Sequence, residues 1–111
     1  EGVNLAGADL REAQIRYSNL SGANLQGADF TDGQLVELDL SHANLANAKL
    51  AGVSVYNWVK IGNANLKGAD FTNTSLVNAR GLTCKQIQEA VIDAQTRLPK
   101  HLGSCDQPGV N

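Results

Sequence analysis

Large apolar residues recur at every fifth position from residue 5 to residue 55. These anchors are Leu5, Leu10, Ile15, Leu20, Leu25, Phe30, Leu35, Leu40, Leu45, Leu50 and Val55. After one extra residue the spacing resumes at Ile61, Leu66, Phe71 and Leu76. Because a period of five fits neither an α-helix nor a continuous strand, the pattern predicts short extended segments separated by regular turns.

The polar positions between the anchors repeat as well. A small residue lies two positions before most anchors and Asn or Asp lies directly before most of them, as in Ala23-Asn24-Leu25. On an extended segment the small residue and the anchor point to the same side, so both are predicted to be buried. Gly and Asn are frequent two positions after the anchor, where they tolerate the backbone angles of a tight turn. We interpret the row of Asn side chains as structural, satisfying turn amides.

A second, longer repeat of about twenty residues shows how many five-residue units make one winding. The segment 4–10 recurs at 24–30, 44–50 and 65–71, so each winding contains four units. Successive windings then stack at strand spacing, which aligns equivalent residues in rows. The predicted rows include Asn4, Asn24, Asn44 and Asn65, and beside them Asp9, Asp29, Lys49 and Asp70.

The run of Ala-(Asn/Asp)-Leu-X-X units resembles the pentapeptide repeat proteins over residues 3 to about 81. The predicted fold class is an all-β solenoid. The resemblance implies a right-handed quadrilateral β-helix, here of about four coils with a C-terminal α-helical cap. We divide the chain into a β-helix (1–81), a capping helix with a return segment (82–102) and a tail (103–111). The extra residue within 56–60 is expected to loop out of one corner.

The segment after the last repeat predicts a helix. Thr83 and Gln86 have the spacing of a capping box, and the apolar pattern is helical from Cys84 to about Arg97. The buried stripe of this helix is predicted to comprise Ile87, Ala90, Val91, Ala94 and Leu98. The helix is expected to cover the open edge of the last winding. The segment also resembles the C-terminal tails of many cyanobacterial pentapeptide repeat proteins.

The two cysteines of the chain allow a prediction about the cellular compartment of the protein. One interpretation is a disulfide between Cys84 and Cys105 that joins the return segment to the start of the helix. Such a bond implies an oxidising compartment, and with the cyanobacterial type of tail it favours the periplasm or the thylakoid lumen. The alternative is two free thiols in a cytoplasmic protein.

The sequence gives no support for nucleic-acid binding, membrane insertion or catalysis. The chain has 9 basic and 11 acidic residues, a net charge of −2, which argues against binding to nucleic acid. It has no apolar run long enough for membrane insertion. His42 and His101 are isolated, and no catalytic triad or phosphate-binding loop is present. We therefore predict no enzyme activity, no catalytic residues, no cofactor and no metal site.

A surface that carries most of the outward aromatic residues is the candidate site. The twenty-residue period places Tyr17, Val36, Tyr56 and Val77 outward on the third side, with Trp58 beside them at the corner that contains the extra residue. An exposed apolar stripe with aromatic residues is typical of a protein-binding surface. The alternative is that the helix or the looped corner covers part of it.

These features predict a non-catalytic structural or protein-interaction module that presents flat faces of a rigid β-helix to an unknown protein partner. The family resemblance supplies an alternative, a DNA mimic that inhibits or protects a DNA-binding enzyme such as gyrase, a role that needs a long acidic rod. The bare edge of the first coil also predicts a possible homodimer through the N-terminal coil edge.

Overall fold

The computed structural model describes residues 2–102 and residue 105, which form mostly strands, bridges and turns with little helix. The strands are β1 (Gln14–Arg16), β2 (Gln34–Asp39), β3 (Ser54–Lys60) and β4 (Ala79–Arg80). They are followed by helix α1 (Cys84–Glu89) and a short 3-10 helix (Lys100–Leu102). No helix in this part of the chain is long and apolar enough to cross a membrane.

The strands form one parallel sheet in the order β1-β2-β3-β4. Its register joins residues twenty positions apart, so that Gln14 is opposite Gln34 and Gln34 is opposite Ser54. Isolated parallel bridges connect Asn4, Asn24, Asn44 and Asn65 in one row, and Asp9, Asp29, Lys49 and Asp70 in another. Both predicted rows are therefore confirmed, and the fold is a β-helix-type solenoid.

The interior of the stack is filled by the anchors and by the small residues that precede them. The anchors Leu25, Leu45 and Leu66 are completely inaccessible to solvent. The small residues of the core include Ala23, Ala28, Ala43, Ala48, Ala64 and Ala69. Two inward residues in each unit therefore fill the interior, as the pattern of the sequence predicts.

Where Asn or Asp precedes the anchor, its side chain holds the turn that follows. Asn24 Oδ1 accepts a hydrogen bond from the Gln26 amide at 3.1 Å, and Asp39 Oδ1 accepts one from the Ser41 amide at 2.9 Å. The residue two positions after the anchor then has positive φ, as at Gly27 (φ 69°). The structural interpretation of the Asn side chains is thus confirmed.

The extra residue is accommodated within β3 as a bulge. Val36 is opposite Tyr56 and Leu38 is opposite Val59, so that the pair Asn57 and Trp58 faces a single residue. An additional residue on one strand bends and twists it locally. The extra residue does lie at a corner, but the strand continues through it and the chain does not loop out.

The predicted helix is wrong in its length. It begins at Cys84 with the expected capping box between Thr83 and Gln86, but it ends at Glu89 and does not continue to about Arg97. The chain then resumes parallel pairing, because the Val91 amide donates to the Ala69 carbonyl at 2.7 Å. Further along, the Arg97 amide donates to the Thr74 carbonyl at 3.0 Å.

The physical reason is the open edge of the preceding winding. Residues 90–98 supply strand partners for backbone groups of residues 69–76 that a continued helix would leave unpaired. Ile92 and Leu98 pack against the core, whereas Val91 and Ala94, which were predicted to be buried, are exposed. Asp93 Oδ1 accepts from the Gln95 amide at 3.0 Å, so this segment reproduces the hydrogen bond of the repeat turns.

Candidate partner-binding surface

The exposed aromatic residues of β3 lie where the chain bends between two sides of the β-helix. Three consecutive residues, 56–58, separate the inward Val55 from the buried Val59, and Asn57 at their centre has φ 71°. The bulge therefore places Tyr56 and Trp58 on the outside of the corner. We call this surface the aromatic corner and define it as Val36, Tyr56, Trp58, Lys60, Val77 and Arg80.

The structure makes two of the predicted residues register partners and places a third one position outside their row. Val36 and Tyr56 are cross-strand neighbours. Tyr56 and Val77 are each 49% exposed, and Val36 is partly buried. The register partner of Val36 on β1 is Arg16, whereas Tyr17 lies at the corner of the first winding with φ 52° and is 71% exposed. Tyr17 is therefore not in the row that contains Val36 and Tyr56.

Trp58 is partly buried, and two cationic side chains contact its ring. The Lys60 Nζ atom lies 5.3 Å from the ring centroid, and the Arg80 Cζ atom lies 5.1 Å from it. Both distances are within the range of cation–π attraction. The sequence analysis missed these two cations, although Lys60 follows Trp58 by two positions and therefore projects to the same side of the strand.

Charge changes sign along this corner of the stack. Asp39, Lys60 and Arg80 are consecutive register partners on β2, β3 and β4. The pKa of Asp39 lies below its usual value, chiefly because its carboxylate accepts the Ser41 amide hydrogen bond, with a smaller electrostatic contribution from Lys60. Next to this row, the Glu37 carboxylate accepts a hydrogen bond from Asn57 Nδ2 at 2.7 Å. Acidic groups thus lie on β2, and basic groups lie on β3 and β4.

The cysteines lie at the C-terminal end of the described chain. Cys84 and Cys105 form a disulfide with their Cα atoms 5.3 Å apart, and Cys105 is buried. The bond joins the first residue of α1 to the segment beyond the short 3-10 helix. The rest of the predicted tail, residues 103–104 and 106–111, lies outside the described residues.

No chemically reactive cluster is found in the part of the chain that the structure describes. Within residues 2–102 and 105, no three His, Cys, Asp or Glu side chains are close enough to hold a metal ion. His42 is exposed at a turn, and the His101 Nε2 atom lies 3.3 Å from the Leu82 carbonyl oxygen. The aromatic corner therefore remains the surface of interest.

Comparison with known proteins gives one family and several matching solved structures. The family described as pentapeptide repeats matches residues 1–32 and 58–80, with eight copies of the repeat. No curated protein matches the sequence.

Among solved structures, a pentapeptide repeat protein from the thylakoid lumen of Arabidopsis thaliana is 20% identical, with a TM-score of 0.65. The match covers 89% of this chain and 60% of that protein, so the chain spans less than two thirds of its length. A pentapeptide repeat protein from the cyanobacterium Cyanothece 51142 is 18% identical, with 86% and 90% coverage and a TM-score of 0.43. The plasmid-mediated fluoroquinolone resistance protein QnrB1 is 20% identical, with 91% and 60% coverage and a TM-score of 0.40.

Proposed function

Because the chain belongs to the pentapeptide repeat family, we propose that it is a non-catalytic module that binds a protein partner through the aromatic corner. The observation that carries this proposal is the exposure of Tyr56 and Val77, each at 49%, beside the two cations on Trp58. Exposed aromatic and apolar groups rimmed by charge are typical of protein interfaces. Strand β3 holds Tyr56 and Trp58 in fixed positions, which lowers the entropic cost of binding.

Site-specific photocrosslinking tests this proposal. A photoreactive phenylalanine derivative replaces Tyr56 in one protein and Gln26, at a turn on another part of the surface, in a control protein. Each is irradiated in an extract of the source organism. We expect a defined crosslinked product for position 56. An excess of unlabelled wild-type protein should suppress this product, whereas an excess of the Tyr56→Ala/Val77→Ala protein should not. The same products at both positions would refute the proposed surface.

The alternative role as a DNA mimic has weaker support. Such a mimic needs an acidic surface, whereas residues 1–81 contain 8 acidic and 6 basic residues. Basic side chains also flank the exposed aromatic residues of this chain. Inhibition of gyrase supercoiling at stoichiometric amounts of the protein would favour the mimic over the interaction module.

We also propose the finer features of the fold, a right-handed quadrilateral β-helix of about four windings with α1 as its cap. Four rows of inward anchors in each twenty-residue period support the square cross-section. The Gln86 side chain supports the capping role, because its Nε2 atom donates to the carbonyls of Ile61 and Ala64, each at 3.0 Å.

An oxidising compartment is the proposed location, either a periplasm or the thylakoid lumen. The disulfide between Cys84 and Cys105 supports it. The solved relative from the thylakoid lumen of Arabidopsis thaliana agrees with this assignment. Titration of thiols in protein isolated without reductant tests it, and two reactive thiols would favour the cytoplasm.

The first winding supports a homodimer of this chain. Its anchors Leu5 and Leu10 are only partly buried. The Asn24 amide of the next winding donates to the Val3 carbonyl, and the Leu5 amide donates to the Asn24 carbonyl, so these bonds join the first winding to the one that follows it. We propose that a second copy pairs with the N-terminal coil edge. Sedimentation is expected to give a dimer for the 111-residue chain and a folded monomer for Leu10→Glu, and a monomeric wild type would contradict the proposal.

A further inference from the structure

We propose that the aromatic corner binds an acidic stretch of the partner polypeptide. Lys60 and Arg80 would receive a carboxylate of that stretch, while Tyr56 and Val77 contact its apolar side chains. This inference rests on the proposed function, because it names the chemistry of the partner that the same surface binds.

The indole ring of Trp58 brings the two cations together. Lys60 on β3 and Arg80 on β4 are register partners, and each cationic group lies close to the Trp58 centroid, at 5.3 Å and 5.1 Å. Long flexible side chains normally lose conformational entropy when they bind an anion. Contact with the ring already restricts both side chains, so less entropy is lost when a carboxylate arrives.

Neither cation has a carboxylate within ion-pair distance in the described part of the chain. The ion pair found within residues 2–102 and 105 joins Arg11 to Asp9. A guanidinium presents five N–H donors and an ammonium presents three. Carboxylates form strong charge-assisted hydrogen bonds with both groups and bind Arg in a bidentate manner. The pair is therefore suited to an acidic side chain.

The apolar part of the corner favours a polypeptide over a small anion. Large apolar residues are exposed at five places in the described chain, which are Val3, Tyr17, Tyr56, Val77 and Val91. Two of these, Tyr56 and Val77, belong to the aromatic corner. An inorganic anion would bind the cations and leave this apolar area in water. An extended segment in which an acidic side chain lies two positions from an apolar one would turn both toward this surface and cover both parts.

The acidic residues of β2 argue against a nucleic acid at this surface. Asp39 is the register partner of Lys60, and Glu37 lies beside Asn57 at the same corner. A polyanion that crosses the strands would bring phosphates close to these carboxylates, and like charges repel. A short acidic stretch placed over β3 and β4 avoids this repulsion.

Peptide titration tests the inference directly. The probe is the blocked hexapeptide acetyl-Glu-Glu-Leu-Leu-Glu-Glu-amide, in which each face of the extended chain carries acidic and apolar side chains. Trp58 is the single Trp of the chain, so its fluorescence reports on the site. We expect a saturable change in emission that weakens as salt is added. Calorimetry supplies the dissociation constants for variants, because removal of the cations itself alters the emission of Trp58.

Matched charge variants show whether the two cations are responsible. The Lys60→Gln/Arg80→Gln protein is expected to bind the hexapeptide about tenfold more weakly, because it lacks two solvent-exposed charge pairs with the peptide. The control Lys49→Gln/Lys67→Gln removes the same charge elsewhere on the surface and is expected to bind like wild type. Circular dichroism confirms that both variants are folded. Equal weakening in the two variants would overturn the inference.

Other ligands distinguish the remaining alternatives. Absence of saturable binding by the hexapeptide refutes the inference, and so does equal binding of blocked hexaglutamate, inorganic phosphate or single-stranded DNA. If the crosslink at position 56 forms although the hexapeptide does not bind, the surface is correct and the acidic partner is wrong. If both are absent, the proposed function fails as well.

Discussion

Either Asn or Asp can precede an anchor, because the turn uses only one oxygen atom of the side chain. Asn24 and Asp39 each accept a hydrogen bond from the amide two residues later, at 3.1 Å and 2.9 Å. They differ in charge, because the Asp carboxylate is ionised at neutral pH and the Asn amide is neutral. In acid the carboxylate binds a proton, whereas the amide does not change. The choice between them therefore sets how the fold responds to pH.

The first prediction follows from the pKa of two Asp carboxylates that accept hydrogen bonds from backbone amides. Backbone amides of Ser41 and Asn73 are the main causes that lower the pKa values of Asp39 and Asp93, respectively. A carboxylate with a lowered folded-state pKa contributes stability above its unfolded value of about 4, and this stability is lost as the pH falls through the folded value.

We expect Asp39→Asn/Asp93→Asn to keep the turn hydrogen bonds and to lose less unfolding free energy than wild type between about pH 5 and pH 2. Urea denaturation at a series of pH values measures the difference. Glu89→Gln, which removes a carboxylate outside the repeat turns, serves as the control. Parallel pH profiles for wild type and the double variant would contradict the prediction.

Gly81 supplies the second prediction. It has φ 83°, and a Cβ atom built on it would lie 2.9 Å from the Gly62 Cα atom, so that the backbone would have to shift. Gly27 has a similar φ of 69°, but its Cβ would meet no atom within 4 Å. We expect Gly27→Ala to lower the unfolding free energy by about 1 kcal/mol and Gly81→Ala by about 2–4 kcal/mol, because overpacking is added. Equal losses in urea denaturation would show that the contact with Gly62 is unimportant.

At the scale of elements, the strands are more predictable than the helix. The row Asn4–Asn24–Asn44–Asn65 follows from the period alone, because a single register keeps every anchor inside. Residues 90–98 are ambiguous because Ala90 and Leu98 fit the helical spacing, whereas Ala90 and Ile92 have the spacing of the small residue and the anchor in a repeat unit. The exposed edge of residues 69–76 decides between them, and that edge is a tertiary feature.

The candidate surface was predictable only in part for a similar reason. The period places Val36 and Tyr56 on the same outer side, and the structure makes them neighbours. The contacts of Lys60 and Arg80 with Trp58 depend on the bulge, whose exact register is not visible in the repeat pattern. Local insertions therefore limit what a period can predict about a site.

The disulfide gives the prediction for the C-terminal elements. It closes a loop with a sequence separation of 21 residues, and in the chain-entropy description such a loop stabilises the folded state by about 3 kcal/mol. The Cys84→Ser/Cys105→Ser protein is therefore expected to unfold at a lower urea concentration, with an unfolding free energy lower than that of wild type by about 3 kcal/mol. Reductant should destabilise wild type similarly and leave the double variant unchanged, and an effect of reductant on the double variant would contradict the assignment.

At the scale of the whole molecule, the windings differ mainly in how many neighbours they have. Leu5, Leu25, Leu45 and Leu66 occupy equivalent positions, but Leu5 is only partly buried whereas the other three are inaccessible to solvent. In a stacked solenoid each winding is stabilised by the windings above and below it. Stability is therefore expected to vary with position along the stack.

This variation leads to the prediction for the whole molecule. We expect Leu25→Ala and Leu45→Ala to lower the unfolding free energy by about 2–5 kcal/mol each, and Leu5→Ala by about 1 kcal/mol in the monomer. Gln26→Ala, at the surface, serves as the control in the same urea titration. Central substitutions no more costly than Gln26→Ala would refute the inward orientation of the anchors. A loss at Leu5 that rises with protein concentration would support the dimer.

The direction of the backbone hydrogen bonds has a mechanical consequence. They join one winding to the next, as between Leu5 and Asn24 or between Leu25 and Asn44, and so run parallel to the axis of the stack. Tension that lifts the first winding off the stack therefore breaks these bonds a few at a time, as in a zipper. Each winding of twenty residues would release about 70 Å of extended chain. The disulfide between Cys84 and Cys105 ties the last segment to helix α1 and resists peeling there, whereas peeling of the windings would shorten the rod by one winding at a time.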